Sequence, residues 1–253
     1  MLRTGTIAPP ASGRTRGITM HAVNPSIVDK SELPARAAEK IAELLRSAAE
    51  ARGRACVALA GGTTPRAVHE ALAARTDVPW SLVHVFFGDE RCVPPDHPDS
   101  NYRMAKESLL DRVPIPIAQV HRPEAELPDH EAAARAYETV LPAALDLVIL
   151  GIGEDGHTAS LFPRSPALNE RTRRYIPVIG PKPPPERLTL TTPALETAAD
   201  IVMLAVGSGK AEAVARALEG AWDPVLTPSQ LARRGAWFLD AAAAAQLRGH
   251  VGH

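Results

Sequence analysis

The stretch Leu147-Val148-Ile149-Leu150-Gly151-Ile152-Gly153-Glu154-Asp155-Gly156-His157-Thr158 decides the reading of this chain. An apolar run that stops in a glycine-rich loop reads as a buried strand entering its carboxyl-terminal turn. The loop carries acids and then a histidine, so ionisable groups are delivered to the edge of a sheet where ligands of open α/β folds bind. Histidine is the side chain best suited to exchange a proton near neutral pH. The spacing Gly151-x-Gly153-x-x-Gly156 also matches a dinucleotide fingerprint. That motif needs a helix opening at the loop and an acid at the end of the following strand, about 20 residues on. Pro163 comes too soon for such a helix, and the next apolar run, Tyr175 to Ile179, ends in Gly180-Pro181 without an acid. Asp155 and His157 would also crowd a pyrophosphate.

Working outward, the same alternation recurs. Strands are predicted at 55–60, 83–87, 147–152, 174–179, 187–191, 201–206 and 236–239. Helices are predicted at 34–51, from Pro65 to about 74 with Thr64 as N-cap, at 100–111, 130–141, after Lys210 to about 219, and more briefly at 228–233 and 241–247. Strands that alternate with helices imply a mainly parallel sheet covered on both faces. A chain of 253 residues with no internal repeat or clear linker fits one α/β domain over 20–253. Residues 1–19 are rich in Arg, Thr, Gly and Pro and contain no acid; a disordered tail is expected there.

Composition excludes several classes. The formal net charge is −1 and aromatics make up only 4%, so neither a cationic field nor stacking platforms recruit nucleic acid. No apolar run is long enough to span a membrane as a helix, and no binding to membranes is expected. Cys56 and Cys92 have no metal-type spacing; Cys56 reads as a core residue and Cys92 as partly exposed, in a reducing compartment. There is no His-Glu-x-x-His and no Gly-x-Ser-x-Gly. His84 reads as packed in a strand, and His97 in Asp96-His97-Pro98-Asp99 as part of a polar turn.

Four loops carry chemistry. Gly61-Gly62-Thr63-Thr64-Pro65 joins a strand to a helix start, where free N–H groups and the positive dipole end suit a phosphate; a plain capped turn explains it equally well. Gly207-Ser208-Gly209-Lys210 repeats that logic and adds a cation. It is not a Walker A loop, because Leu204 stands where the first glycine belongs and Ala211 follows the lysine. A phosphate monoester of roughly −2 charge suits it. Gly88-Asp89-Glu90-Arg91 ends an apolar strand, and Arg91 can fork onto a carboxylate or polarised carbonyl; a surface salt-bridge cluster is the bland reading. In the fourth loop, Asp155 or Glu154 would orient His157.

Taken in order, these loops resemble the 6-phosphogluconolactonase family. The resemblance rests on Ala60-Gly61-Gly62-Thr63-Thr64-Pro65, on 87–94 around Gly88-Asp89-Glu90-Arg91, on Asp99-Ser100-Asn101-Tyr102, on 150–163, on 184–190 and on Gly207-Ser208-Gly209-Lys210. It spans about 28–239. It implies a Rossmann-like α/β fold and hydrolysis of 6-phospho-glucono-1,5-lactone, the second step of the oxidative pentose phosphate route, in the cytoplasm. It implies no metal and no organic cofactor, and a small sugar-phosphate lactone as the only partner of a monomer. By resemblance His157 is the catalytic base. Gly62, Thr63, Arg187 and Lys210, with Gly61 beside them, contact the phosphate, and Asp89, Arg91 and Asn101 are substrate or supporting groups. The related glucosamine-6-phosphate deaminases carry Phe-Asn-Glu-Pro after their Asp-Gly-His loop. Here Phe162 occupies the place of that glutamate, which favours lactone hydrolysis over isomerisation or deamination. A non-catalytic sugar-phosphate sensor is the remaining alternative, and the chain lacks the helix-turn-helix such a sensor would need.

Overall fold

A computed structural model describes residues 24–248; the tail expected at 1–19 lies outside them. Strands β1 (Ser26–Ile27), β2 (Ala55–Leu59), β3 (Val83–Phe87), β5 (Leu147–Gly151), β8 (Asp200–Ala205) and β9 (Ala236–Leu239) form one sheet in the order β1-β9-β8-β5-β2-β3. Every pairing in it is parallel. β2 is buried throughout, and β5 and β8 are buried except for Gly151 and Asp200 at their ends, because both faces are covered. Alternate residues serve opposite sides. Ala55, Val57 and Leu59 of β2 pack with α1 (Leu33–Arg52), α2 (Thr63–Ala73) and α3 (Asn101–Ser108). Cys56 and Ala58 face the other core, shared with α4 (His130–Val140), α5 (Thr192–Thr197), α6 (Ala211–Glu219) and α7 (Ala241–Ala244).

A second, antiparallel sheet was not foreseen. Strands β4 (Asp89–Arg91), β7 (Glu186–Leu190) and β6 (Tyr175–Ile179) pair in the order β4-β7-β6. It joins the main sheet through Gly88, whose N–H donates to Leu59 O at 2.9 Å while its carbonyl accepts from Leu190 N at 2.8 Å. The two runs at 174–179 and 187–191 therefore form a hairpin outside the parallel sheet. Two predicted helices are shorter than their patterns. The helix expected at 100–111 ends at Ser108 and continues as a 3₁₀ turn, and the last one stops at Ala244. The predicted N-cap Thr64 is corrected. Gly62 caps α2 at φ 107°, with no side-chain bond to the helix, and Thr63 and Thr64 lie inside the first turn. A side chain at Gly62 would be strained, and its absence leaves the first N–H groups of α2 without a side-chain cap.

Candidate active site

The loops following β2, β3, β5 and β8 converge at the carboxyl-terminal edge of the parallel sheet, and β7 leans across them. They enclose a cavity of about 190 Å³ lined by Gly61, Gly62, Thr63, Asp89, Arg91, Asn101, His157, Arg187 and Lys210, together with Ile152, Ala159 and the end of β8. Of the residues given a role from sequence, only Asp155, which stands behind His157, and the alternative acid Glu154 are absent from its lining.

His157 Nδ1 lies 2.5 Å from Asp155 Oδ1, and the same oxygen accepts from the His157 backbone N–H at 3.2 Å. A carboxylate can only accept here, so Nδ1 carries the hydrogen, and in the neutral imidazole the lone pair lies on Nε2. Burial raises the Asp155 pKa, but the adjacent imidazole and its hydrogen bonds outweigh burial and hold the carboxyl below its ordinary value. The choice between Asp155 and Glu154 is thus resolved by contact. Glu154 is exposed and leans over the other turn, where a Cβ on Gly209 would meet its Oε1 at 2.8 Å. Gly153 is required for a steric reason, since a Cβ there would overlap His157 Nδ1 and Cε1.

The Asp89-Glu90-Arg91 segment is not the surface salt-bridge cluster it resembles. It is a strand, and Asp89 and Glu90 are buried. Glu90 accepts from Asn101 N at 2.7 Å and Arg91 N at 2.8 Å on one oxygen, and from Tyr102 N at 2.8 Å and Ser100 Oγ at 3.1 Å on the other. Burial pushes its pKa up even so, with those backbone bonds opposing. Asp89 accepts from Ser160 Oγ at 2.6 Å and from Asn101 Nδ2 at 3.1 Å. Asn101 fits only because Gly61 has no side chain, as a Cβ there would overlap its amide. Ser160 escaped the sequence reading, because one serine two residues beyond a turn carries no periodic signal.

Arg91 and Arg187 are directly opposed in the β4–β7 register. Arg91 Nη1 donates to Asp99 O at 2.6 Å, and its buried Nε has no partner among the described residues. Arg187 donates through Nε to Pro184 O at 3.1 Å and through Nη2 to Lys182 O at 3.3 Å. Burial lowers its pKa, Asp89 opposes this and Arg91 adds to it; an arginine nevertheless stays charged. Lys210 is half-buried and has no acidic partner among the described residues. Cys92 is partly exposed and its thiol is pushed up to about 12, by burial first and then by Glu186 and Glu90. It is no nucleophile. Among the described residues no three His, Cys, Asp or Glu side chains could hold a metal ion, and no helix is long and apolar enough to cross a membrane.

A family model described as glucosamine-6-phosphate isomerases/6-phosphogluconolactonase matches residues 28–239. The chain belongs to this family. A 6-phosphogluconolactonase of Mycobacterium tuberculosis is 42% identical over 237 residues, which covers 87% of this chain and 96% of that protein. One from Synechocystis is 39% identical over 235 residues, covering 88% and 97%. The chain is thus an enzyme by kinship. Among solved structures of the family, a 6-phosphogluconolactonase from Shewanella baltica superposes with a TM-score of 0.78 at 30% identity, covering 88% of this chain and 99% of that one. A monomeric glucosamine-6-phosphate deaminase reaches 0.78 at 22% identity, covering 89% and 100%; that likeness concerns the fold alone.

Proposed function

We propose that this enzyme hydrolyses 6-phospho-D-glucono-1,5-lactone to 6-phospho-D-gluconate, with His157 as general base. The observation that carries the reading is the shared cavity: a histidine with a carboxylate on Nδ1 and two helix-start loops with Arg187 and Lys210 line one small space. The phosphate sits against the N–H groups at Gly62 and Thr63, with Lys210 and Arg187 supplying charge. Binding energy spent there holds the lactone carbonyl in place for attack. His157 Nε2 takes a proton from water as the water oxygen bonds to C1. The carbonyl π pair moves onto oxygen, and Arg91 or neighbouring backbone N–H groups stabilise that oxyanion. Collapse breaks the bond from C1 to the ring oxygen, which receives the proton back from His157. Asp89 and Asn101 line the same cavity and are proposed to read sugar hydroxyls or support the groups that do.

The related ring-opening and deamination chemistry has less support. Phe162, buried beside His157, has no group that exchanges a proton. A cytoplasmic setting agrees with the two free thiols.

The test is the decay of freshly made 6-phosphogluconolactone with and without protein, corrected for spontaneous opening. His157→Ala is expected to lose about 10²–10⁴-fold in kcat, the usual worth of a proton-transfer group, while still binding 6-phosphogluconate. An alanine variant with near wild-type turnover would remove His157 from the mechanism. Ammonia release from glucosamine 6-phosphate by the unmodified protein would favour the deaminase alternative.

A further inference from the structure

Phe162 is 5% exposed yet belongs to neither hydrophobic core. Its ring touches functional groups instead. The His157 imidazole packs on it at 4.7 Å between centroids, tilted by 44°, and the Arg187 guanidinium carbon lies 5.6 Å from its centroid. Gly180, buried on a further side, gives it room: a Cβ there would stand 2.8 Å from Phe162 Cε2, 3.0 Å from Cζ and 3.2 Å from Arg187 Nε.

We infer that Phe162 is a positioning residue that sets the base and the phosphate-binding arginine relative to each other, with Gly180 fixing where its ring lies. The ring is absent from the cavity wall, so it acts through its two neighbours and not on substrate. Arg187 needs such a support. Its Nε and Nη2 are committed to Pro184 O and Lys182 O, and the aromatic face gives the cation a planar seat that a carbonyl cannot supply. His157 is held at Nδ1 by Asp155, a contact that leaves the ring free to tilt about that bond. The packing face of Phe162 limits the tilt and so aims Nε2. A small loss of aim in a proton-transfer group is expensive in rate.

The inference rests on the lactonase reading for its kinetic arm, and a binding arm is independent of it. Phe162→Leu keeps apolar bulk and removes the ring face. Gly180→Ala keeps the ring and displaces it, at a position whose backbone lies outside the left-handed region. Both variants, shown to be folded by an unchanged thermal transition, are expected to raise KM for the phosphorylated lactone about tenfold and lower kcat about tenfold. Calorimetric binding of 6-phosphogluconate should weaken in step with KM. In an Arg187→Lys background, which keeps charge but loses the planar group, Phe162→Leu should change KM and product affinity by less than about twofold. Wild-type KM and kcat in either folded single variant overturns the proposal, and so does a KM effect that multiplies undiminished onto Arg187→Lys. If Phe162→Leu does not fold, Gly180→Ala decides alone by the same criteria. A wild-type protein that binds 6-phosphogluconate without turning over the lactone defeats the lactonase reading, and the binding cycle then judges the Phe162–Arg187 coupling by itself.

Discussion

The contact between His157 and Asp155 fixes which nitrogen of the imidazole carries the hydrogen, and the rest of the site is arranged around that choice. Gly153 makes it possible. Its backbone lies outside the left-handed region, so alanine meets no conformational penalty there, only the His157 ring and the Asp155 carboxylate bonded to it. Gly153→Ala should therefore cost about as much turnover as removing His157, the proposed base, about 10²–10⁴-fold, with little change in thermal midpoint. A variant that unfolds instead, or that keeps its rate, would show that the imidazole is not wedged as described. The His157 loop was legible from sequence because a strand, a glycine turn and an ionisable pair occur in immediate succession. The identity of the orienting acid was not, since Glu154 and Asp155 are neighbours and only three-dimensional direction separates them.

Among the elements, β4 shows where pattern reading fails. Asp89-Glu90-Arg91 has no apolar alternation, so charge and turn residues read as loop, yet two of its three side chains are buried. The strand exists because its polar groups are satisfied, most of all by Glu90, which binds the start of α3. The N-cap Ser100 accepts from Arg103 N at 3.1 Å while giving its own hydrogen to Glu90. Glu90→Gln replaces one accepting oxygen with a donor; turned toward Ser100, whose hydroxyl can reverse to accept, the amide still strands the Tyr102 N–H. At about 1–3 kcal/mol for a buried group left unpaired, a loss of that size in denaturant unfolding is expected. KM should rise too, because Asn101 is the first residue of that helix. A loss confined to stability, with KM unchanged, would mean that the α3 start does not position substrate. The mostly apolar strands gave no such difficulty: β3 and β9 lie where their runs predict, since nearly all of their side chains are buried.

At the scale of the whole molecule, the buried His69 and the half-buried pair His84 and His121 are expected to lower stability in acid. His69 is fully buried, with Nδ1 3.3 Å from Ser108 Oγ and Nε2 without a partner among the described residues, and burial lowers its pKa to about 4 from 6.5. Below 6.5 the unfolded chain takes up a proton that the folded chain refuses until about 4, so stability is complete above that window and falls as pH drops through it. At about 1.4 kcal/mol per pH unit the loss is about 3 kcal/mol. His84 and His121, stacked at 5.4 Å, are also lowered chiefly by burial and add to the same limb. Denaturant titrations between pH 7.5 and 4 should show this slope, and His69→Gln should flatten most of it; an unaltered slope would place the acid sensitivity elsewhere. The opposed arginines of β4 and β7 have a different consequence. Like charges facing across a strand pair push the strands apart, so the small sheet is held closed against internal pressure. A phosphate held against Arg187, as proposed above, would offset part of that repulsion. Inorganic phosphate at a hundredfold excess over its Kd should thus stabilise the protein by about 2.7 kcal/mol and slow amide exchange in β4 and β7, whereas uncharged gluconolactone should do neither. The supply of phosphorylated sugar would then govern how rigid this edge of the enzyme is, as well as how often it turns over.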